Sequence, residues 1–269
     1  MTTAFSLFTS LRYDIDLQKV PSLDMRYAGW NNNNMSPFYM LDFHRDRILN
    51  AAIHWGFEPV VALLTGPEGL EYMAQKALQF LGDERKPQRV RIVLSPEGEI
   101  SFVKSDAPSV PPENLLPAKL AAPRSTPELY EAKRDNPFEL VLDGDSTEKS
   151  EYTHFKTTKR AMYDSARERA SIQLGQRKEV LIVDNEGVIM EGSITTPYFW
   201  RNGKWVTPPV SLQYSKEDGC GGQCGTTRRW ALERKIVEEQ VVNSSELVDG
   251  EECWISNGVS GFIPAIIRL

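Results

Sequence analysis

The sequence predicts a two-domain protein that combines α-helices with β-strands. The chain has 269 residues, a length that suits two domains of ordinary size. Helical and strand patterns alternate along its first half, whereas the second half is centred on a group of short strands. A proline-rich stretch with little periodicity, 105–127, lies between them and is the candidate boundary.

The composition is that of a globular protein with enough apolar residues for a sizeable core. Hydrophobic residues make up 41% of the chain and charged residues 25%. The formal net charge of -6 argues against nucleic acid or an anionic membrane as the main partner. No apolar run approaches the ~20 residues that span a bilayer, and the N-terminus lacks the pattern of a signal peptide. Three cysteines do not form a disulfide framework, so we expect a reducing, cytoplasmic location and no metal.

In the first half, apolar spacing and turn residues define the elements. The predicted elements are a strand over 5–13, a loop over 20–34, helices over 41–55 and 70–81, and strands over 89–94 and 99–103. Asp42 is expected to cap the first helix and Gly56 to end it. The segment Gly66–Gly69 is expected to form a turn before the second helix.

The second half opens with a predicted strand over 138–142. An extended segment then ends at Lys156 and leads into a helix through about Leu174. Thr157 or Thr158 can supply the N-cap of that helix, which places the next two basic residues on it.

The centre of the second half is a meander of three predicted strands. The first, Val180–Val183, is continuously apolar, as in a strand that is buried on both faces. A turn at Asp184–Gly187 precedes a second strand from Val188, and the third strand is Lys204–Thr207. The middle strand carries one acid, Glu191. Burial of this carboxylate would be costly without a partner, so the alternative is a solvated sheet face.

Further residues carry groups that can bind anions or transfer protons. His44 and Arg47 lie three apart and share one side of the first helix. Lys156 precedes a helix, where its amine can point into a cleft. The glycine-rich run that ends at Gly225–Thr227 gathers backbone N–H groups and hydroxyls at a helix start, as in anion sites. Each feature also has an ordinary surface interpretation. His44 and Arg47 could be a solvated pair, Lys156 could be a solvated lysine, and the glycine-rich run could be a flexible loop with a threonine cap.

An amine, an acid in a strand and an anion cradle together suit pyridoxal phosphate. That cofactor needs a Schiff-base lysine, a carboxylate at its pyridine nitrogen and a cup for its phosphate. Four motifs follow one another along the chain: H-x-x-R at His44–Arg47, K-x-x-N-R at Lys156–Arg160, E-G-S at Glu191–Ser193, and G-I-T-R at Gly225–Arg228. The second match is inexact, because Lys159 stands at the asparagine position. In this ordered set the chain resembles the fold-type IV pyridoxal-phosphate enzymes, which include branched-chain and D-amino-acid aminotransferases and aminodeoxychorismate lyase.

The resemblance implies an α/β (α+β) fold like that of D-amino-acid aminotransferase, with pyridoxal 5′-phosphate as the cofactor and a homodimer as the assembly. It implies a small N-terminal α/β domain over 1–122, a linker over 123–137 and a larger, β-rich C-terminal domain over 138–269. Lys156 would be the catalytic residue. The residues expected at the cofactor are Arg47, Lys156, Glu191, Ser193, Ile194, Thr195, Gly225, Thr226, Thr227, Asn257 and Gly258.

The sequence also departs from the family pattern in two places. It starts almost at the first predicted strand, without the hairpin and G-D-G turn that usually precede it, which affects the edge of the small domain. Thr196 stands where an asparagine is usual, and its hydroxyl can still serve a nearby backbone group.

The resemblance implies one of two reactions. The first strand resembles that of aminodeoxychorismate lyases, and EGSITTPYFW with GTTRRWALE is similar to fungal lyase-like members. We therefore predict a lyase that converts 4-amino-4-deoxychorismate to 4-aminobenzoate and pyruvate. The alternative is an aminotransferase that acts on D-amino acids, branched-chain amino acids or amines. The expected substrate residues are Phe8, Ser10 and Arg12.

Two hypotheses from other classes stay open. A binding or regulatory protein could keep the fold and the cofactor site, but loss of the lysine would be its clearest sign, and Lys156 is present. A phosphosugar-binding protein would use the glycine-rich loop but leave Glu191 and Lys156 without a role. The absorbance of a bound cofactor separates the enzyme from a protein that binds none.

Overall fold

The computed structural model describes residues 5–25, 28–173 and 175–269, which form two compact units. Unit 1 contains the described residues up to Ser109 together with Phe155–Lys159 and Gly258–Ser260. Unit 2 contains Val110–His154, Arg160–Asn257 and Gly261–Leu269. The domain limits given above, 1–122, 123–137 and 138–269, stay a prediction. Across the described residues, no helix combines the length and the apolar character that a membrane crossing requires.

Unit 1 is built on a three-stranded antiparallel sheet. Its strands are β1 (Leu7–Tyr13), β2 (Gln88–Leu94) and β3 (Ile100–Asp106), in that spatial order. Its α-helices are α1 (Trp30–Asn33), α2 (Leu41–Trp55), α3 (Glu58–Leu64) and α4 (Gly66–Leu81), and a 3-10 helix spans Ile15–Ser22. Burial alternates along β2, because successive side chains point to opposite faces and only one face enters the core.

Helix α2 confirms one predicted boundary and corrects the other. Gly56 ends the helix with left-handed backbone (φ 64°), a conformation that glycine adopts without strain. At the other end Met40 occupies the N-cap position, so the predicted cap at Asp42 is wrong. The side chain of Asp42 accepts a hydrogen bond from the N–H of Phe43 instead.

Three further segments of unit 1 differ from the prediction. The predicted loop over 20–34 contains the end of the 3-10 helix and all of α1. Asn31 is buried there and donates to the carbonyls of Ser36 and Phe38, so its side chain binds the backbone of the segment that follows α1. Helix α3 has no predicted counterpart. The predicted turn Gly66–Gly69 is the first turn of α4, where a proline is tolerated.

The segment Phe155–Lys159 belongs to unit 1 because its backbone pairs with the start of β1. The N–H of Phe8 donates to the carbonyl of Lys156 at 3.2 Å, and the N–H of Thr158 donates to the carbonyl of Ser6 at 2.9 Å. These bonds keep the segment extended. Neither of the two predicted threonine caps therefore forms, which corrects that prediction.

Unit 2 is built on an eight-stranded sheet. Its strands are β4 (Phe138–Ser146), β5 (Lys178–Val183), β6 (Ile189–Gly192), β7 (Thr196–Arg201), β8 (Lys204–Thr207), β9 (Glu238–Glu239), β10 (Glu252–Asn257) and β11 (Gly261–Arg268). Its helices are α5 (Pro112–Leu115), α6 (Glu151–His154), α7 (Ala161–Arg169) and α8 (Thr226–Glu233), with a 3-10 helix at Ser244–Glu246. The spatial order is β6-β5-β4-β11-β10-β7-β8-β9, with parallel pairing of β4 to β5 and to β11 and of β8 to β9.

Strand β5 is buried on both faces, as its continuous apolar run predicts. Val180 and Ile182 pack with Tyr163 and Ala166 of α7 in one core cluster. Leu181 points the other way, because side chains alternate along a strand. The cluster on that side comprises Leu140, Leu181, Ile189, Phe199, Val206, Val242, Leu247, Cys253, Ile255, Ala265 and Ile267.

The predicted middle strand of the meander is in fact two strands. Strand β6 ends at Gly192 and β7 begins at Thr196. The backbone reverses between them, where the N–H of Gly192 donates to the carbonyl of Thr195 at 2.9 Å. The acid of this stretch, Glu191, therefore lies one residue before the end of a strand.

Helix α7 is shorter than predicted at its start. It begins at Ala161, with Arg160 at the N-cap position, so Lys159 and Arg160 are not helical. It ends at Arg169, whereas the predicted end at Leu174 lies outside the described residues. The pairing of the preceding segment with β1 accounts for the late start.

We expect Gly261→Ala to destabilise the protein by about 2 kcal/mol or more. Gly261 starts β11 with left-handed backbone (φ 65°), and an added Cβ would meet the carbonyl oxygen of Asn114 and lie 2.9 Å from Leu115 Cα. The matched control is Gly144→Ala, where no atom lies within 4 Å of an added Cβ and a change within about 0.5 kcal/mol is expected. Urea unfolding measures both, and equal effects would contradict this account of Gly261.

Candidate functional site

The predicted site residues lie in both units, within groups of interacting side chains. In unit 1 the group comprises Phe8, Thr9, His44, Arg47 and Lys156, which we call the cation group. Unit 2 contains two such groups. The acid group comprises Glu191, Tyr163 and Gln223. The hydroxyl cluster, at the start of α8, comprises Thr227, Ser256 and Tyr198.

The hydrogen bonds of the cation group define the state of His44. Thr9 Oγ1 lies 2.6 Å from His44 Nδ1, and Arg47 Nη2 donates to Thr9 Oγ1 and lies 3.2 Å from the same ring nitrogen. A guanidinium can only donate, so Nδ1 is an acceptor and carries no hydrogen. The hydroxyl of Thr9 can then donate to Nδ1, which leaves the ring proton on Nε2.

The electrostatics of the cation group agree with a neutral imidazole. His44 is fully buried, and this burial lowers its pKa well below the ordinary value for histidine. The positive charges of Arg47 and Lys156 lower the pKa further. The surface alternative for His44 is therefore wrong, because the side chain lies inside unit 1.

Lys156 is partly buried, whereas Lys159 is exposed. Lys156 Nζ lies 5.0 Å from the centroid of the Phe8 ring. Arg91 Cζ lies 4.0 Å from the same centroid, so two cations contact one aromatic ring. The backbone pairing of the segment around Lys156 with β1 fixes the point from which this amine extends.

The three predicted substrate residues differ in their surroundings. Phe8 is buried against Lys156, and Ser10 is partly exposed on β1. Arg12 is fully buried, and its Nε and Nη2 donate to Asp14 Oδ2 at 2.9 and 2.7 Å. Because Arg12 Nη1 also donates to the carbonyl of Pro108 at 2.8 Å, this side chain has a structural role. We keep only Phe8 and Ser10 as proposed substrate contacts.

The acid group of unit 2 buries Glu191, which is 7% exposed. The hydroxyl of Tyr163, on α7, lies 2.5 Å from Glu191 Oε1. Gln223 Nε2 donates to the same hydroxyl at 3.2 Å. Burial and the charge of Glu191 raise the pKa of Tyr163 well above its ordinary value, so this hydroxyl stays protonated. The solvated-face alternative for Glu191 is therefore wrong.

A second buried carboxylate, Glu179 on β5, organises the turn after β6. Ser193 Oγ donates to Glu179 Oε1 at 2.5 Å, and Thr195 Oγ1 and the N–H of Ile194 donate to Oε2 at 3.0 and 3.2 Å. Arg167 Nη1 donates to Ser193 Oγ at 2.9 Å and lies 3.5 Å from Glu179 Oε1. The hydroxyls predicted for the cofactor are thus directed at Glu179.

The hydroxyl cluster lies where the glycine-rich loop enters α8. Gly225 is the N-cap residue, and Thr226 and Thr227 begin the helix. Thr227 Oγ1 lies 2.7 Å from Ser256 Oγ, which lies 2.7 Å from the hydroxyl of Tyr198. Helix starts attract anions, because their first N–H groups have no partner within the helix.

The remaining predicted residues lie around the end of β10 and in α8. Asn257 ends β10 and is partly buried in unit 2. Gly258 belongs to unit 1, where its carbonyl accepts from the N–H of Arg12 at 2.9 Å. Arg228, the last residue of the G-I-T-R match, donates from Nη2 to the carbonyl of Pro208 at 2.8 Å and to Glu239.

Sequence patterns did not indicate Glu179, Tyr163 or Gln223. Glu179 carries one signal, since it is an acid that directly precedes the apolar run Val180–Val183 within the same strand. Tyr163 and Gln223 carry none, because their roles depend on which elements pack together.

The chemical groups that the two units offer are of the kinds that pyridoxal phosphate requires. Unit 1 offers an amine, Lys156, and a guanidinium, Arg47. Unit 2 offers the buried carboxylate of Glu191 and a helix start that backbone can approach closely, since a Cβ on Gly225 would lie 2.7 Å from Thr196 Oγ1. The residues present therefore fit this cofactor. Among the described residues, no cluster of three or more His, Cys, Asp or Glu side chains could hold a metal ion.

Comparison with known sequences identifies a family and two relatives that match parts of the chain. A family model for amino-transferase class IV matches residues 27–266. An aminodeoxychorismate lyase from Saccharomyces cerevisiae is 28% identical over 216 residues, which are 71% of this chain and 54% of that protein. A Schizosaccharomyces pombe protein that carries the provisional name aminodeoxychorismate lyase is 32% identical over 126 residues, 45% of this chain and 51% of that protein. The chain spans about half the length of these curated relatives.

Solved structures show the same fold at low sequence identity. A protein from Mesorhizobium loti, provisionally named an amino-acid aminotransferase, has a TM-score of 0.68 at 21% identity over 98% of this chain and 100% of that chain. A fold IV transaminase from Curtobacterium pusillum has a TM-score of 0.57 at 15% identity over 97% of this chain and 76% of that chain. These likenesses confirm the predicted α/β (α+β) fold class.

The state of His44 predicts how stability depends on pH. The unfolded chain binds a proton at His44 near the ordinary pKa of about 6.5, whereas the folded chain does not until far lower pH. The free energy of unfolding should therefore fall as pH falls from 7 to 5, by up to about 1.4 kcal/mol per pH unit from this residue. Urea unfolding at several pH values should show a shallower decline for His44→Asn, which keeps an acceptor but does not titrate. Parallel curves for the two proteins would contradict the buried neutral imidazole.

We expect Glu179→Ala to destabilise the protein by about 3 kcal/mol, because it leaves Arg167 and the donors of the turn without their buried acceptor. Glu186→Ala is the control, since Glu186 is an exposed acid of the neighbouring turn and should change stability by no more than about 0.5 kcal/mol. Urea unfolding compares them. A loss at Glu179 as small as that at Glu186 would show that the carboxylate does not organise this turn.

Proposed function

The chain belongs to the class IV aminotransferase family, and from this membership we propose that it is a pyridoxal-phosphate-dependent lyase. The proposed reaction converts 4-amino-4-deoxychorismate into 4-aminobenzoate and pyruvate. The observation that supports this choice is the 28% identity to the Saccharomyces cerevisiae aminodeoxychorismate lyase over 71% of the chain. The partly buried amine of Lys156 and the buried carboxylate of Glu191 support an enzyme over a binding protein.

Each unit would supply its own contacts to the cofactor. In unit 1, Lys156 would anchor the cofactor covalently, and Arg47 would face its phosphate. In unit 2, Glu191 would face the pyridine nitrogen. The other proposed contacts are Ser193, Ile194, Thr195, Gly225, Thr226, Thr227, Asn257 and Gly258.

The chemistry of these side chains suits proton transfer at a carbon that bears an amine. When bound, pyridoxal phosphate supplies an electron sink for the carbanion that loss of this proton leaves. In its unprotonated form, Lys156 Nζ would accept the proton from the substrate carbon and could return it. His44 stays neutral near pH 7, so it adds no positive charge to the cation group. In unit 2 the Tyr163 hydroxyl donates to the Glu191 carboxylate, a hydrogen bond that favours the charged form of this acid.

The second candidate function is an aminotransferase that acts on D-amino acids, branched-chain amino acids or amines. The solved structures that share the fold include a fold IV transaminase. The two functions differ in stoichiometry: a lyase releases pyruvate from one substrate, whereas an aminotransferase needs an oxo-acid as a second substrate.

A homodimer and a cytoplasmic location complete the proposal. The thiols of Cys220, Cys224 and Cys253 are free, which agrees with a reducing compartment. The homodimer comes from the family resemblance, and light scattering on the purified protein measures it directly.

We expect the purified protein to show a visible absorption band that borohydride abolishes, with the reduced adduct on the peptide that contains Lys156. Lys156→Ala should remove the band, because no amine is left at the anchoring position. Lys159→Ala is the matched control, since Lys159 is exposed and lies in the same extended segment, and it should keep the band.

A colourless protein that takes up no added pyridoxal phosphate would refute the proposed function. A band that persists in Lys156→Ala would transfer the anchoring role to another amine. With the loaded wild-type protein, pyruvate release from aminodeoxychorismate in the absence of an oxo-acid supports the lyase. Strict dependence on an oxo-acid would support the aminotransferase instead.

A further inference from the structure

The glycine-rich loop 219–225 lies directly against strand β6. An added Cβ on Gly222 would lie 2.6 Å from the carbonyl oxygen of Met190 and 3.4 Å from Glu191 Cβ. Cys220 Sγ donates to the same carbonyl of Met190 at 3.2 Å. The loop is therefore in contact with the backbone that carries the acid, and this contact requires a glycine.

This position brings the next loop residue to the acid group. Gln223 is 8% exposed, and its Nε2 donates to the hydroxyl of Tyr163 at 3.2 Å. Tyr163 OH lies 2.5 Å from Glu191 Oε1 and 3.2 Å from the carbonyl of Thr153. A phenol has one hydrogen, and with Gln223 as a donor to the oxygen, that hydrogen is used for the shortest contact, at Glu191.

The result is a directional relay of two hydrogen bonds, from the Gln223 amide to the Tyr163 hydroxyl and from there to the Glu191 carboxylate. All three side chains are buried, so the bonds operate in a low dielectric where each is strengthened and a missing partner is costly. A hydrogen bond to the ionised carboxylate favours its charged form and fixes the direction of Oε1.

We propose that Tyr163 and Gln223 are positioning residues that keep the Glu191 carboxylate ionised and oriented toward the cofactor. The inference rests on the proposed function, because it assigns no role unless pyridoxal phosphate binds. It also gives the glycine-rich loop a second role, since the loop that leads to Gly225 and α8 supports the acid as well. Gln223 acts through the Tyr163 hydroxyl in this relay, which makes the effects of the two side chains interdependent.

The experiment measures the Kd of pyridoxal phosphate for the stripped protein, in wild type, Tyr163→Phe, Gln223→Met and the double variant. Tyr163→Phe should raise the Kd about tenfold, as expected for loss of a hydrogen bond to a charged group. Gln223→Met should raise it about threefold. The double variant should be no worse than Tyr163→Phe alone, because in the proposed relay the amide acts on the acid through the Tyr163 hydroxyl. In the loaded protein, Tyr163→Phe should lower kcat with little change in KM, since the relay acts on the acid and not on the substrate.

Tyr13→Phe is the matched control. Tyr13 is a buried tyrosine of β1 whose hydroxyl donates to the carbonyl of Glu84 at 2.9 Å, so the variant also loses one partly buried tyrosine hydrogen bond. It should leave the Kd, kcat and KM unchanged, which separates the relay from a general loss of stability.

The outcomes distinguish this proposal from the proposed function. If the wild-type protein binds no pyridoxal phosphate, both are refuted. If the wild type binds it and Tyr163→Phe has an unchanged Kd and kcat, the relay is refuted while the proposed function stands. If the losses of the two single variants add in the double variant, Gln223 does not act through Tyr163, and the directional relay is wrong. Should Tyr163→Phe fail to fold, Gln223→Met decides, since an unchanged Kd there also refutes the relay.

Discussion

Burial of two carboxylates in adjacent strands is the constraint on which unit 2 depends. Glu179 lies in β5 and is 1% exposed, and Glu191 lies in β6 and is 7% exposed. A buried charge costs several kcal/mol unless donors surround it. The donors of Glu179 come from the turn between β6 and β7, and Tyr163 on α7 donates to Glu191. The turn and the placement of the helix thus follow from the same electrostatic need.

The fold was predictable where a local pattern decides it. The run Val180–Val183 predicted a strand buried on both faces, and Gly56 predicted a helix end, because burial on two sides and left-handed backbone each restrict the residue type directly. The break between β6 and β7 was not predictable, since it depends on Glu179, a residue outside the stretch that turns. The late start of α7 likewise depends on pairing with β1, a strand far away in sequence.

Sequence patterns supplied the residue types of the candidate site and their order in the chain, but not the environments of those residues. The spacing of His44 and Arg47 placed them on one side of a helix, yet only the structure shows that Thr9 bridges them and that the imidazole is neutral. Arg12 shows the reverse case. The resemblance of its strand to that of aminodeoxychorismate lyases suggested a substrate contact, whereas Arg12 Nε and Nη2 donate to Asp14 inside unit 1.

The composition of the glycine-rich loop follows from contact and not from mobility. If these glycines only made the loop flexible, no atoms would need to pack against them. Instead, an added Cβ on Gly222 would meet the Met190 carbonyl, and one on Gly225 would meet Thr196 Oγ1. A loop that must lie this close to β6 and β7 can carry side chains only at the positions between the contacts. Gln223 occupies such a position, and its amide is thereby held at the acid group. The loop therefore supports the carboxylate of Glu191 through Gln223, and its last residue, Gly225, leads into the start of α8, where helix N–H groups favour an anion.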